Sequence, residues 1–575
     1  MVPEVSGIDK VFDYLVPESL VPRVGRGTRV RIDLNGRRVG GWIVEVGSAE
    51  ERTDVQVDID RLVPIVSVSG DGVEPDVLPL TKWMSQRWFG SWRATLSSAS
   101  APRKRGRHVN PRRGQNPTYP NDVVTTAART LVSRGGGLLV VPPLSSALNV
   151  VAELARDGSV LVVCPTQRMA VMGAAALRRR GFTTALVPDD WDAAKAGVDI
   201  VIGARSAVLA PCEGLSSVVV IDEHDELHHE ERAPTWNASD VAQERARRAG
   251  VPYVLTSAVP SASALKLHAD STVLVETENA WPRIEVVNLD DVPVAGSLLS
   301  SEMLNSIATV GATTVCVLNT KGKARLIACK ACRVVQACPT CSSLLTQSDN
   351  GEFFCVRCDV AAGSVCVSCG RTSFVIPRGG VSQLVSQVVK STRNPVVEVT
   401  ADADDSWTKG SVFIGTEAVL YRIPQTDAVV FADIDRDLSA PRLTASREVL
   451  SLIARAARLV GANGRLIVQS RQPSHPLLQA LASVNPQQAL MQWMDNDLAQ
   501  RKMFSMPPFA SMVRISVVAP KSIDDVPSMP GIDIARDENS VILKSLDAEI
   551  LSAGVAQLRT QFGTSLRVHA DPKRY

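Results

Sequence analysis

Between Val123 and about residue 275, short apolar runs recur, each followed by a stretch with the three-and-four spacing of an amphipathic helix. The runs are Leu138–Val141, Val160–Cys164, Asp199–Gly203, Val218–Ile221 and Tyr253–Thr256; Met169 to Arg180 is one of the helical stretches between them. Near-continuous apolar strands alternating with helices predict a parallel, doubly wound sheet, because such strands are covered on both faces. A second series of the same kind runs through Thr314–Asn319, Val396–Val399, Val412–Gly415, Ala428–Ala432 and Arg465–Val468, and a cluster of cysteines interrupts it.

The two ends of the chain are patterned differently. Residues 1 to about 98 predict a small β-rich unit, with strands over Phe12–Pro17, Thr28–Ile32 and Val39–Val46 and a turn at Asn35-Gly36. Trp83, Trp88, Phe89 and Trp92, interleaved with Lys82, Arg87 and Arg93, fit an amphipathic helix packed on that unit, or a platform for unpaired bases. From Ala94 to Asp122 the composition turns to Ser, Pro, Gly and Arg without periodicity, which predicts a linker. From about 490 onward a helix and the strands Met512–Val518 and Ser540–Leu543 predict a small α+β domain.

Composition adds limits. The 575 residues imply several domains, and 45% hydrophobic with 21% charged residues is ordinary for globular protein. The chain has no apolar run long enough to span a membrane, and its first ten residues lack a signal core, so a cytoplasmic protein without membrane partners is expected. A net charge of +2 says nothing about partners, but Arg103, Lys104, Arg105, Arg107, Arg112 and Arg113 form a cationic run without an acid. Such a run either attracts polyanions by counterion release or keeps a linker extended.

Eight of the 11 cysteines stand in four pairs: Cys329/Cys332, Cys338/Cys341, Cys355/Cys358 and Cys366/Cys369. A two-residue spacer lets both thiolates of a knuckle face one tetrahedral ion, so four pairs supply two closed four-cysteine sites. Polar spacers favour zinc over an iron–sulfur cluster. Closed sites are structural, and two Zn²⁺ per chain are expected. Cys164, Cys212 and Cys316 lie in or beside apolar stretches and are read as buried small hydrophobes.

These features occur together in one family. Phe12-Asp13-Tyr14 with Val16-Pro17, Gly27-Thr28-Arg29-Val30, Ile202-Gly203-Ala204-Arg205-Ser206-Ala207, Asp222-Glu223-His224-Asp225, Leu318-Asn319 before the cysteines, Ile414-Gly415-Thr416-Glu417, His475-Pro476-Leu477-Leu478 and Met506-Pro507-Pro508-Phe509 follow in order. Together they resemble the PriA (primosomal protein N′) family of replication restart proteins along nearly the whole chain. The resemblance implies nested metal pairing: Cys329, Cys332, Cys366 and Cys369 on one ion, and Cys338, Cys341, Cys355 and Cys358 on the other. Spacing alone does not choose between nested and sequential pairing. It also implies that Phe12, Asp13 and Gly36 capture the 3′ end of a nascent strand, a carboxylate accepting the terminal hydroxyl's proton. On their own residues, without the family, Phe12 and Tyr14 read as core and Asp13 as a turn cap.

The chain departs from the family where nucleotide chemistry is concerned. A phosphate-binding loop needs glycines, a lysine and a hydroxyl. The corresponding Val140-Val141-Pro142-Pro143-Leu144-Ser145-Ser146-Ala147 has neither glycine nor lysine, and its prolines remove amide donors. The acidic box is one residue short, although Asp222 still ends an apolar run. The arginine-finger segment reads Ala454-Arg455-Ala456-Ala457-Arg458, and a winged-helix segment is replaced by the basic linker. Asp222, Arg455 and Arg458 are thus the remnants of a degenerate nucleotide site, and ATP binding is not expected. His224 and His228 at helical spacing also suggest a metal pair, against their reading as the end of the acidic box followed by exposed polar residues.

The expectation is therefore a multidomain α/β protein: a 3′-end DNA-binding domain (1–98), a basic linker (99–122), two degenerate RecA-like lobes (123–280; 281–326 with 371–489), a zinc-binding insertion (327–370) and a C-terminal domain (490–575). The expected function is recognition of abandoned or stalled forks, through forked and single-stranded DNA, Phe12, Asp13, Gly36, Arg103, Lys104, Arg105 and Arg107. It would promote assembly of primosome proteins and loading of the replicative helicase, with its loader or the single-strand DNA-binding protein as partners, and without enzymatic turnover. The alternatives are a DNA-dependent ATPase acting as a 3′-to-5′ DNA helicase and a zinc-scaffolded interaction protein.

Overall fold

The computed structural model describes residues 1–8, 10–48, 61–102, 110, 113–293, 297–319, 327–332, 334, 336–339, 345–347, 352–355, 358, 360–363, 365–375, 381–399, 411–440, 442–518, 521–537 and 540–572. It divides into two units: Met1–Val141, Ser146–Val275 and Ala499–Pro572 form one, and Pro142–Ser145 with Glu276–Leu498 the other.

At the N-terminus, Arg29–Leu34 and Arg37–Trp42 form a hairpin whose turn residues Asn35 and Gly36 have φ of 50° and 75°. An Asn-Gly pair suits that turn because both positions need positive φ. Val2–Pro3 and Ser67–Gly70 complete a four-stranded antiparallel sheet over a core of Met1, Val30, Ile32, Ile43 and Ile65. The segment Phe12–Pro17, expected as a strand, makes one bridge, Leu15 to Pro64, before the 3-10 helix Glu18–Arg23. The helices Leu78–Arg87 and Trp92–Ala99 follow. Trp88 is fully buried and meets Trp83 edge to face at 5.4 Å, so the aromatic group serves the core.

The stretch expected as a linker is partly ordered structure. Ala99 ends a helix, and the backbone N–H of Ala101 donates to Gly72 at 2.8 Å. Further on, Gly114 donates to the Asp199 carboxylate at 2.8 Å, Thr118 to the Arg180 carbonyl at 2.7 Å, and Tyr119 packs edge to face on Phe182. These anchors use backbone and single polar groups, so no hydrophobic period announces them.

The first parallel sheet has seven strands in the order Thr272–Leu274, Gly136–Val140, Tyr253–Ser257, Leu215–Val220, Ser159–Val163, Ile200–Gly203 and Thr184–Val187. Three of its inner strands, Gly136–Val140, Ser159–Val163 and Ile200–Gly203, are buried along their length, as continuous apolar runs require. The C-terminal domain is a four-stranded antiparallel sheet, Asp533–Arg536, Val541–Ser545, Ser511–Val517 and Leu566–Ala570, covered by the helix Ala548–Phe562. Phe89 reaches into its core, Arg559 donates to the Phe89 carbonyl, and Thr235 Oγ1 donates to the Ala570 carbonyl at 3.2 Å. Sequence-distant ends of the chain therefore share one unit.

The second unit carries a six-stranded parallel sheet, Arg283–Asn288, Arg465–Ser470, Ala428–Phe431, Thr314–Val317, Val412–Gly415 and Val396–Val399. The cysteine module enters after Thr314–Val317 and leaves before the helix Val381–Ser391. It contains two small antiparallel sheets, Ala328–Cys329 with Phe374–Val375, and Thr346–Gln347 with Phe353–Cys355 and Val360–Ala362. Its core is Ile327, Cys338, Leu345, Phe353 and Cys355, with Phe374 edge to face on Phe353 at 4.6 Å.

Candidate functional site

The cysteine module is built from knuckles whose turns aim sulfur inward. At Cys366–Cys369 the Cys366 N–H donates to the Arg371 carbonyl and Gly370 N–H to the Cys366 carbonyl, both at 2.9 Å, with Gly370 at φ 71°. The pairing of Ala328–Cys329 with Phe374–Val375 brings the outer knuckles together. Cys329 Sγ lies 3.5 Å from Cys369 Sγ and Cys332 Sγ 3.5 Å from Cys366 Sγ, and all four sulfurs fall within 4.8 Å of one another. Cys338, Cys355 and Cys358 form the second cluster, with Cys338 and Cys358 sulfurs 3.9 Å apart; Cys341 lies outside the described residues. Zn–S bonds of about 2.3 Å in a tetrahedron set sulfurs about 3.8 Å apart, so both clusters fit a tetrahedral thiolate ion. The outer knuckles thus group with each other, and Cys338 groups with Cys355 and Cys358.

At the N-terminal domain, Phe12 and Asp13 are half-buried on a segment bonded to the first residue: the Met1 ammonium donates to the Phe12 carbonyl at 2.6 Å, and Phe12 N–H to the Met1 carbonyl at 2.9 Å. Tyr14 Oη donates to the Asp33 carbonyl at 3.2 Å, bringing this segment beside the hairpin that ends in the exposed Gly36. Burial, then the Asp33 charge, raises the Tyr14 pKa. Space is open around Gly36, where a Cβ would meet nothing within 4 Å. Exposed Arg37 and Arg38 follow it, cations visible in the sequence but not singled out there.

Arg103, Lys104, Arg105, Arg107 and Arg112 lie outside the described residues. Arg113 is part of the fold instead: its guanidinium donates to Ser159 Oγ at 2.9 Å and the Val198 carbonyl at 3.2 Å, and lies 3.4 Å from Asp199.

The acidic-box residues are engaged in the fold. Asp222 is buried with φ 53°. The Glu223 carboxylate accepts from Ser261 N–H at 2.8 Å and Oγ at 2.9 Å, at the start of the helix Ala262–Leu267. His224 Nδ1 lies 2.7 Å from Ser257 Oγ. His228 is fully buried rather than exposed, its Nε2 2.8 Å from the Ile221 carbonyl. Among the described residues no histidine or carboxylate cluster converges as the cysteines do, so the metal pair His224/His228 is not formed. In the second unit, Arg455 donates from Nε to the Leu420 carbonyl at 2.9 Å and stacks on Tyr421 at 4.0 Å, on the helix that also carries half-buried Arg458.

Burial lowers the His228 pKa, so the folded state holds it neutral while the unfolded chain protonates at about 6.5. Its contribution is present above that value and is lost as pH falls through it. Thermal unfolding between pH 7.5 and 5.5 is expected to fall less steeply for His228→Phe than for wild type, by up to about 1.4 kcal/mol per pH unit; parallel curves would contradict this.

The parallel sheets and cysteine clusters define a multidomain α/β protein with metal-holding capacity. Residues 2–101 match the PriA-type 3′DNA-binding domain (3′BD), and the chain is similar to the replication restart protein PriA over more than half its length. It is 29% identical to that of Treponema pallidum over 55% of this chain and 51% of the relative, and 24% identical to that of Bacillus subtilis over 60% and 46%. The chain thus spans about half the length of these curated relatives. With a probable replication restart protein PriA of Mycobacterium leprae it shares 25% identity over 88% of this chain and 85% of the relative. The DNA-bound DUF1998 helicase MrfA aligns with a TM-score of 0.35, 13% identity, 68% of this chain and 55% of that one. Among the described residues, no helix is long and apolar enough to cross a membrane.

Proposed function

We propose that this protein is a replication restart factor that recognises abandoned forks by the 3′ end of the nascent strand and promotes primosome assembly and helicase loading without turning over ATP. The observation that carries the reading is the 3′DNA-binding domain over residues 2–101, with Phe12 and Asp13 set beside the Gly36 hairpin. The Asp13 carboxylate accepts the terminal hydroxyl's proton and repels a terminal phosphate. Arg37 and Arg38 supply charge for the backbone, and the run Arg103, Lys104, Arg105 and Arg107 adds phosphate contacts.

In the same reading each cysteine cluster, completed in the second by Cys341, holds one zinc, and the module is a structural element of the platform that primosome proteins, the replicative helicase or its loader and the single-strand-binding protein recognise. The ATPase alternative is disfavoured by Val140–Ala147, which offers neither lysine nor glycine, and by Arg455, which is committed to Leu420 and Tyr421.

The test is equilibrium binding to a model fork with the nascent 3′ end at the junction. Wild type is expected to prefer a 3′ hydroxyl over a 3′ phosphate by at least tenfold, a preference of about 1.4 kcal/mol, and Asp13→Ala to abolish it. Equal affinity for both ends in wild type would reject fork-end recognition.

A further inference from the structure

Gln336 is the side chain on which the two halves of the first cysteine cluster meet. It is 1% exposed and lies between Cys332 of that cluster and Cys338 of the other. Its Nε2 donates to the Val334 carbonyl at 2.8 Å and to Cys366 Sγ at 3.4 Å, and its Oε1 accepts from Val367 N–H at 3.2 Å. The Val334 carbonyl lies on the Cys329 side of the cluster, since it also accepts from the Cys329 N–H at 3.0 Å, whereas Val367 sits inside the opposite knuckle. The backbone of Gln336 is fixed as well, donating to Ile327 at 2.8 Å and accepting from Leu345 at 2.9 Å. A polar residue in the run Val334-Val335-Gln336-Ala337 is therefore buried with both amide N–H groups and its oxygen used.

We propose that Gln336 is a positioning residue of the first metal cluster. Its amide locks the Cys366–Cys369 knuckle against the Cys329–Cys332 side and donates to the Cys366 thiolate. Four thiolates around a divalent cation leave excess negative charge, and a fixed N–H donor disperses it, which strengthens retention of the ion and makes that sulfur less nucleophilic. A hydrocarbon at this position would remove the acceptor of the Val367 N–H and one of the two donors to the Val334 carbonyl. In the second cluster Cys355 Sγ accepts from the Cys358 N–H of its own knuckle at 3.4 Å. The inference rests on reading both clusters as zinc sites.

The experiment uses the full chain. Bound zinc is first counted, and its release into excess EDTA is followed with a chromogenic indicator for wild type, Gln336→Leu and Gln336→Glu. Glutamate keeps the size and the acceptor oxygen but has no proton to give the thiolate, so it separates donation from packing. Wild type is expected to hold two ions, and both variants to release one of them about 10–100-fold faster while the other leaves at the wild-type rate. In cobalt-substituted protein the thiolate-to-metal charge-transfer band of both variants is expected at longer wavelength than in wild type. Wild-type release of both ions in the variants, or equal acceleration of both, would overturn the role of Gln336. A wild-type chain holding fewer than two ions would instead overturn the zinc reading itself.

Discussion

On the proposed zinc reading, chelation of the cysteine module, or replacing Cys329 or Cys355 by serine, is expected to unfold residues 327–375 while both parallel sheets persist. Among the described residues the module's core is five, of which Cys338 and Cys355 belong to the second cysteine cluster. Its strands are two or three residues long. So small a core cannot offset the conformational entropy of ordering the segment. Structural zinc supplies about 10–16 kcal/mol of apparent binding free energy per site, enough to decide whether the module folds. Hydrogen exchange with and without chelator reads this directly. Protection in 327–375 should vanish on chelation, while Gly136–Val140 and Ala428–Phe431 stay protected. Unchanged protection of the module in metal-free protein would contradict the structural role.

The second large effect is expected at Asp199, which is 7% exposed. Its carboxylate accepts from Gly114 N–H, Thr183 N–H and Thr183 Oγ1, each at 2.8 Å, and lies 3.4 Å from Arg113. Asp199→Ala leaves several inward-facing donors without a partner, a loss of about 3–5 kcal/mol, with little from half-exposed Arg113 itself. It should also release 113–118 from the sheet, so that protease cuts this stretch before the rest of the first unit unfolds. Asp199→Asn, which keeps one acceptor oxygen, should lose less. An unfolding midpoint unmoved by Asp199→Ala would show that these bonds carry no net stability.

The inner strands of both sheets were legible because burial on both faces demands unbroken apolar runs, as at Ser159–Val163. The edges were not. Thr184–Val187, Thr272–Leu274 and Arg283–Asn288 alternate or stay half-exposed, so their pattern resembles loop as much as strand. In the C-terminal domain Asp533–Arg536 escaped notice for the same reason. The eight cysteines pointed to metal by their spacing, which left nested and sequential pairing open; the strand pairing of Ala328 with Val375 and Cys329 with Phe374, distant in sequence, is what brings the outer knuckles together. His228 sits in a polar run and was read as exposed; one acceptor, the Ile221 carbonyl, makes its burial tolerable, and no periodicity encodes that. The basic run likewise looked uniform, although its last cation, Arg113, is bonded to Ser159 and Val198.

The first unit begins at Met1 and takes up the chain again at Ala499, so the second sheet and its cysteine module are an excursion inserted into a body already joined by other means. Phe89 in the C-terminal core, Arg559 on the Phe89 carbonyl and Thr235 on Ala570 hold the two flanking segments to each other. Breaking the chain anywhere within the excursion would therefore leave the first 275 residues and the last domain as a non-covalent pair, two fragments that still recognise one another after their connecting peptide is gone.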